Sequence, residues 1–538
     1  SGVGFNPVEL VAKSVCYQWP NNSKATKEMA RPLHKYNYKY FLWFRRLKMA
    51  TLKTIPLFKW SEPRIRTLHY TWLAFFITFL IWFAHAPLMP MLKEYFDMTP
   101  AQVKAILMLN VAITIPARIL IGVLVDKFGP RKSYSFLLAF CGVLCLLFAA
   151  AQSFEWLAIM RFLLGFVGAG FVIGIRLVSE WFPAREVGIA EGIYGGWGNF
   201  GAAVASMSMP ILALAFGGDD GWRYAIGSTG VMAIIYSFIF YRGVRDTPEG
   251  STYFKPQKAG GLEVTTKGDF VFYALMNVPL YLALALLTWR LSPEGLKLLS
   301  ADGALIAYAV IAGLVVYQWK KIWHVNKHLF TGEHPAAPRY HFKQVAILNV
   351  AYMACFGSEL AVVSMLPLFF MDTFHISPVY AGMTAGCFAV MNLFARPSGG
   401  LFSDAYGRRK ILMICLIGQT LGYGLMSQMD SSWSLVVAVL AVLVTSVFIQ
   451  GACGAVYSIV PLIQRRMTGQ IAGMAGAYGN VGGVVFLTIL SLVSPTSFFY
   501  LLAVMSAVAF LGSLFLSEPK GHMIETDEHG NVHLIAVE

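Results

Sequence analysis

Pro116-Ala117-Arg118-Ile119-Leu120-Ile121-Gly122-Val123-Leu124-Val125-Asp126-Lys127-Phe128-Gly129-Pro130-Arg131-Lys132 recurs in outline far along the chain. The second copy is Phe394-Ala395-Arg396-Pro397-Ser398-Gly399-Gly400-Leu401-Phe402-Ser403-Asp404-Ala405-Tyr406-Gly407-Arg408-Arg409-Lys410. Arg, Gly, Asp, Gly, Arg and Lys fall in register. A long-period repeat in an apolar chain implies two related halves packed around a shared centre. Each copy sets one arginine inside an apolar run. Such an arginine costs several kcal/mol in a membrane unless a partner or ligand compensates it. One per half points to a central site for an anion.

Of the 538 residues, 57% are hydrophobic and only 13% charged, with a mean hydropathy of +0.60. That charge content is about half of a soluble protein's, so the composition predicts an all-α integral membrane protein. The apolar runs are too long and continuous for the alternating strands of a barrel. The formal net charge is +14. Most of it sits in the head ending at Arg66, which has thirteen basic against three acidic residues. This head reads as a topogenic signal attracted to the lipid bilayer, and no basic folded module suggests nucleic acid as a partner. Six of the seven cysteines lie in apolar segments, and none has the neighbours of a metal site. Neither a metal nor a cofactor is expected. Nothing has the clustered ligands or nucleophiles of an enzyme.

The chain divides into a basic cytoplasmic segment (1–66), a six-helix bundle (67–245), an inter-bundle segment with two extra hydrophobic helices (246–342), a second six-helix bundle (343–516) and a polar tail (517–538) expected to lack fixed structure. Apolar runs near 270–289 and 303–319 have no partner in the repeat. With both termini cytoplasmic and fourteen spans, the basic clusters at Lys127–Lys132, Arg242–Arg245, Lys320–Lys327, Arg408–Lys410 and Arg465-Arg466 fall on one side.

A second pair of motifs is Gly192-Ile193-Tyr194-Gly195-Gly196-Trp197-Gly198-Asn199-Phe200-Gly201 and Gly473-Met474-Ala475-Gly476-Ala477-Tyr478-Gly479-Asn480-Val481-Gly482-Gly483. Glycines at helical spacing permit close backbone approach, either of another helix or of a small ion. Asn199 and Asn480, next to Gly198 and Gly479, are amides in apolar helices and can donate to an oxyanion. Tyr352, Phe356 and Glu359 recur at one-turn spacing on one predicted face. A carboxylate inside a span is a proton-carrier candidate.

The Gly-x3-Asp-Lys-x-Gly-x-Arg-Lys loop resembles the loop between helices 2 and 3 of the major facilitator superfamily, and its second copy lies where that fold repeats it. The glycine-asparagine segments, Phe83-Ala84-His85-Ala86-Pro87-Leu88, Tyr352-x3-Phe356-Gly357 and Asn392-Leu393-Phe394-Ala395-Arg396-Pro397 resemble the nitrate/nitrite porter family within it. The resemblance covers roughly Thr67 to Ser517 and omits the basic head and the extra helix pair. It implies two six-helix bundles and a nitrate site. Arg118 and Arg396 would hold the ion from opposite halves. Asn199, Tyr352 and Phe356 would surround it, Phe171 would add an aromatic wall, and Asn480, Gly198 and Gly479 would line the same space. It also implies that Asp126, Arg131, Asp404 and Arg409 act in a cytoplasmic gate.

The guanidinium fork suits a planar anion, because two oxygens can each accept an N–H. Glu359, in a Gly-x-Glu-Leu pattern closer to the family's proton-coupled branch, favours import of nitrate with protons. Exchange of nitrate for nitrite and a nitrate sensor on the same scaffold are the alternatives. A monomer in the cell membrane is expected. Arg176, Glu180 and Glu191 read as further gate pairs, His85 as an interfacial histidine, and Arg161 and Arg223 as head-group anchors.

Overall fold

A computed structural model describes residues 55–256, 260–295, 297–331, 340–376, 378–490, 492–518, 522–526 and 532–536. Most of the basic head, and so most of its charge, lies outside the described residues. Helices stand at all fourteen predicted spans. They are α1 (Pro63–Phe83), α2 (Pro100–Phe128), α3 (Pro130–Ala149), α4 (Phe154–Trp181), α5 (Val187–Phe216), α6 (Gly221–Gly243), α7 (Lys267–Leu291), α8 (Ala301–Asn326), α9 (from Phe342 to Phe374), α10 (Pro378–Val390 and Asn392–Tyr406), α11 (Arg408–Met426), α12 (Leu435–Leu462), α13 (Arg465–Leu490) and α14 (Pro495–Ser513). Eleven of them are long and apolar enough to cross a membrane. Of the rest, α10 is broken at Met391 and α11 opens on three cations, both at the second copy of the repeat.

The polar tail departs from the expectation. His522–Thr526 (β1) pairs antiparallel with Val532–Ala536 (β2). Each run holds apolar residues at alternate or adjacent positions, enough to satisfy a short ladder although the segment as a whole is polar.

Within each half, α3 packs on α6 and α11 on α12 and α14. Between halves, α2 runs along α13 and α5 along α10. The glycine stripes explain these seams. A methyl on Gly192 would lie 2.6 Å from the Pro397 Cα, one on Gly188 2.6 Å from the Gly400 carbonyl, and one on Gly473 2.5 Å from the Arg118 carbonyl. A Cβ on Gly400 would collide with the Gly188 carbonyl. One face of each stripe is therefore the contact between halves, and the other packs at home. Gly198 and Gly201 abut Phe75 and Phe76 of α1, and Gly482 abuts Met353 and Gly357 of α9.

Neither backbone at the α5–α10 seam can yield without opening it. Gly400→Val should therefore cost at least the roughly 1–3 kcal/mol of an overpacked core. The expected result is a folded protein with a lowered melting temperature and a crippled transport cycle. Equal thermal stability and uptake in this variant would show that the seam is not held closed.

The extra pair is attached on one side. α7 lies against α2, α9 and α13, and the Tyr478 hydroxyl donates to the Met276 carbonyl at 2.6 Å. α8 is largely exposed, as lipid contact requires of an apolar helix. The segment between α6 and α7 is sewn to this pair, with Val264 N donating to Asn326 Oδ1 at 2.8 Å.

Candidate functional site

Arg118 projects from mid-α2 and is almost fully buried. Its Nε donates to the Gly168 carbonyl at 3.0 Å and its Nη1 to the Gly476 carbonyl at 2.7 Å. The first acceptor is available because α4 tightens to a 3₁₀ turn at Gly165–Ala169. The second belongs to the other half, and Gly476 leaves the room: a methyl there would lie 2.9 Å from Arg118 Nη1. Arg118 meets carbonyls, not carboxylates, so its charge stays uncompensated by any ion pair among the described residues.

Arg396, from α10, is also buried. Its Nη2 lies 3.2 Å from Glu359 Oε2, while its Nε has no hydrogen-bond partner. Both guanidinium groups stand over the Phe356 ring, at 5.3 Å for Arg118 and 5.9 Å for Arg396. Phe356 is stacked on Tyr352 at 5.1 Å and 5°, and Tyr352 on Phe171 at 6.5 Å and 5°. Three parallel rings from both halves thus form one wall beside two cations. Arg118 also faces Phe171 at 5.8 Å. Such cation–π contacts replace part of the hydration the charges lose.

The residues singled out in the sequence do not all play equal parts in this arrangement. Arg118, Arg396, Tyr352, Phe356, Phe171 and Glu359 come together. Asn199 reaches them through Asn392. Asn480 donates to the Gly476 carbonyl at 3.0 Å, the same oxygen that Arg118 uses. Gly479 backs the Tyr352 and Phe356 rings, where a methyl would lie 2.8 Å from both, whereas Gly198 packs against Phe75.

Two participants went unrecognised in the sequence reading. Asn392 donates to Glu359 Oε1 at 2.8 Å and accepts from Asn199 Nδ2 at 3.3 Å, which crosses the seam between halves. Its position one turn before Arg396 was the available signal. Tyr457 stands edge-on to Phe171 at 4.6 Å and to Tyr352 at 4.8 Å, closing the wall. No spacing rule singles it out. The single predicted face for Tyr352, Phe356 and Glu359 also changes, because Met353–Gly357 is a π-helical turn. The extra residue per turn keeps the rings stacked while aiming Glu359 at α10.

At the motif-loop end, each repeated aspartate caps a helix of the opposite half. Asp126 accepts from the Gly469 and Gln470 N–H groups, both at 2.9 Å, at the start of α13. Asp404 accepts from the Ile189 N–H at 2.9 Å at the start of α5. A carboxylate suits a helix N-terminus because unpaired N–H groups and the dipole both favour negative charge. Asp126 also lies 3.5 Å from Arg176, and Arg408 lies 3.1 Å from Asp404. Glu180 receives Arg176 at 3.0 Å and Arg465 of the other half at 2.9 Å. Tyr253 and Phe254 of the inter-half segment accept from Arg176 at 3.2 and 2.8 Å.

Arg131 and Arg409 turn to their own halves. Arg131 donates to the Tyr241 carbonyl at 2.7 Å, and Arg409 to Leu514 at 2.6 Å. Asp246 and Glu518, each just beyond the last helix of its half, accept from the N–H of Arg131 and from those of Arg408 and Arg409. Burial pushes the Asp246 carboxyl above its usual range, opposed by the Arg131 N–H and charge. Gly129 and Gly407, at φ 86° and 102°, make the intervening turns. Glu191 is buried without a hydrogen-bond partner.

Arg161 corrects the head-group expectation. It is buried two turns into α4 and donates to the Trp82 carbonyl at 3.1 Å, where a cation satisfies the C-terminal turn of α1. His85 is likewise buried beside it. Arg223 pairs with Asp220 at 2.7 Å and stacks on Trp222 and Tyr95 at the start of α6.

The model of the Major Facilitator Superfamily matches residues 71–325 and 348–536. The nitrate/nitrite transporter NrtP of Picosynechococcus sp. is 46% identical over 87% of this chain and 96% of its own length. NrtP of Nostoc punctiforme is 47% identical over 86% and 94%. Among solved structures, the E. coli fucose:proton symporter FucP aligns with a TM-score of 0.57 over 85% of this chain and all of its own, at 11% identity, which speaks to the fold alone. Two repeated halves, a central pair of arginines and these likenesses agree that the chain is a multi-pass membrane transporter of the major facilitator superfamily, belonging within it to the nitrate/nitrite transporter family.

Proposed function

We propose that this protein carries nitrate inward by proton symport, through alternating access around Arg118 and Arg396, with both termini cytoplasmic. The observation that carries this reading is the imbalance of charge in the site. Among the described residues Arg118 has no carboxylate partner, while Arg396 is held by Glu359. One monovalent anion neutralises the excess cation, and the aromatic wall favours one that is flat and weakly hydrated. The names of the relatives, nitrate/nitrite transporters, point to the same ion.

The carboxylate supplies the proton link. Nitrate and ionised Glu359 compete for Arg396. Protonating Glu359 removes that competition, so proton and anion bind together more readily than either alone. The bound anion then screens Arg118 from Arg396 and lets the halves rock as a closed unit. Opening toward the cytoplasm requires the Asp126 and Asp404 caps to part from the opposite half.

The deciding experiment is nitrate uptake into proteoliposomes under an imposed proton gradient. Acid outside should drive accumulation. Uptake that ignores the gradient and responds only to internal nitrite would replace symport by exchange.

Asp126→Asn combined with Asp404→Asn removes two charged caps, each hydrogen bond to a charged group being worth about 1.5–3 kcal/mol. The halves should then separate at the loop end, seen as longer spin-label distances between α5 and α10. Unchanged distances would show that the caps do not hold the closed state.

A further inference from the structure

Asn199, Asn392 and Glu359 form a chain of hydrogen bonds that crosses from one half to the other, and its polarity is set by chemistry. An ionised carboxylate only accepts, so Asn392 must present Nδ2 to Glu359 Oε1, at 2.8 Å. Its Oδ1 therefore faces Asn199, which must present Nδ2 in turn, at 3.3 Å. The result is that Asn199 Oδ1 is left buried with no partner. Asn199 lies one turn beyond Gly195, where a methyl would sit 3.2 Å from Arg396 Cδ and 3.4 Å from the Phe171 ring. The orphaned acceptor thus belongs to the face of α5 that borders the anion site, where a lone pair repels an anion.

Resting on the proton-symport reading, we infer that Asn392 is a positioning residue that passes the protonation state of Glu359 to Asn199, turning Asn199 from an acceptor into a donor toward the bound anion. The proton arrives from water and goes to Oε1 of Glu359. The other oxygen, Oε2, faces Arg396, which has only donors and cannot accept an O–H. An amide can reverse. With Oε1 protonated, Asn392 flips to accept from it, and its Nδ2 turns to Asn199. Asn199 then flips to accept that N–H, and its own Nδ2 takes the place of the orphaned oxygen. One proton therefore frees Arg396 and adds an N–H donor from the opposite half. Coupling follows from two amide rotations without helix movement.

The charged and titratable groups that face Glu359 among the described residues are Arg396 on α10 and the Tyr423 phenol on α11, while Cys453, Cys355 and Tyr352 lie on the far side of this pair, around Arg396. Tyr423 donates to Ser358 at 2.7 Å and is thereby held away from the carboxylate. Asn392 is left as the partner able to exchange donor for acceptor.

The test is nitrate binding to the purified full-length protein, measured at an acidic and at an alkaline pH. In the wild-type background, Asn199→Ala should weaken binding roughly 10-fold at the lower pH, the loss of one hydrogen bond to a charged group, and by less than about twofold at the higher. In the Asn392→Leu background Asn199 rotates freely, so its removal should cost the same at both. Glu359→Gln provides a second background in which the cost should also be independent of pH. Should the asparagine variants misfold, infrared difference spectra of the wild type with ¹³C-labelled asparagine offer an independent reading. Acidification should shift an amide carbonyl band, and Glu359→Gln should abolish that shift. An equal cost of Asn199→Ala at both pH values in the wild type, or no band shift, overturns the relay. Nitrate binding that survives loss of both arginines would instead overturn the proposed site.

Discussion

Replacing Arg396 or Arg118 with lysine should lower nitrate affinity by roughly 30-fold or more, equivalent to at least about 2 kcal/mol, although the formal charge is kept. The reason lies in what each guanidinium does at once. Arg118 spends Nε and Nη1 on two carbonyls from different helices, and keeps its plane facing the Phe356 and Phe171 rings. An ammonium is a point donor on a flexible stem and cannot hold two fixed acceptors while turning a flat face to an anion. Arg396 likewise holds Glu359 with one nitrogen and leaves Nε unpaired. Equilibrium binding of labelled nitrate to the purified variants, beside uptake in proteoliposomes, checks the result. Affinity within a few-fold of wild type in both lysine variants would remove the two arginines from the site.

Glu359→Gln should have the second large effect, and of a different kind. The carboxylate is buried, paired with Arg396 and hydrogen-bonded to Asn392. Glutamine keeps the shape and loses the titration. Arg396 is then released from its internal partner at every pH, so nitrate should bind at least as well as in wild type at neutral pH. Accumulation against a gradient should vanish, because no proton is carried with the anion. Removing one partner of a buried ion pair also destabilises by about 3–5 kcal/mol in general. Here bound nitrate offsets that loss, so the variant's melting temperature should rise with nitrate more steeply than the wild type's. The measurement is uptake with and without an inward proton gradient. Full gradient-driven accumulation in the variant would make Glu359 a structural partner of Arg396 alone.

The site was legible to the extent that chemistry in a membrane is conspicuous. Arg118, Arg396 and Glu359 stood out because charge inside an apolar run must be compensated. Asn392 was passed over, although it sits one turn from Arg396, because an amide alone does not say which of several neighbours it meets. Tyr457 carried no signal at all among many aromatic residues. Arg161 was misplaced because sequence depth near a span end does not reveal whether a side chain turns to lipid head groups or to the last carbonyls of a neighbouring helix.

The amino-acid sequence by itself determined that the chain spans a membrane, that it consists of two related halves with an added helix pair, and that each half brings one buried arginine. These follow from local hydropathy and from a repeated pattern, which need no knowledge of packing. Only the tertiary structure decided which glycines form the seam between halves and which pack at home, since both sets have helical spacing and differ only in what stands opposite. It alone decided that Asp126 and Asp404 reach across to the other half while Arg131 and Arg409 do not, because a turn motif specifies its own geometry and not its distant partner. It also placed a π-helical turn between Tyr352 and Glu359, which sends the carboxylate to Arg396. Backbone register at that one turn depends on packing against α13 and α12, a contact between residues far apart in the chain.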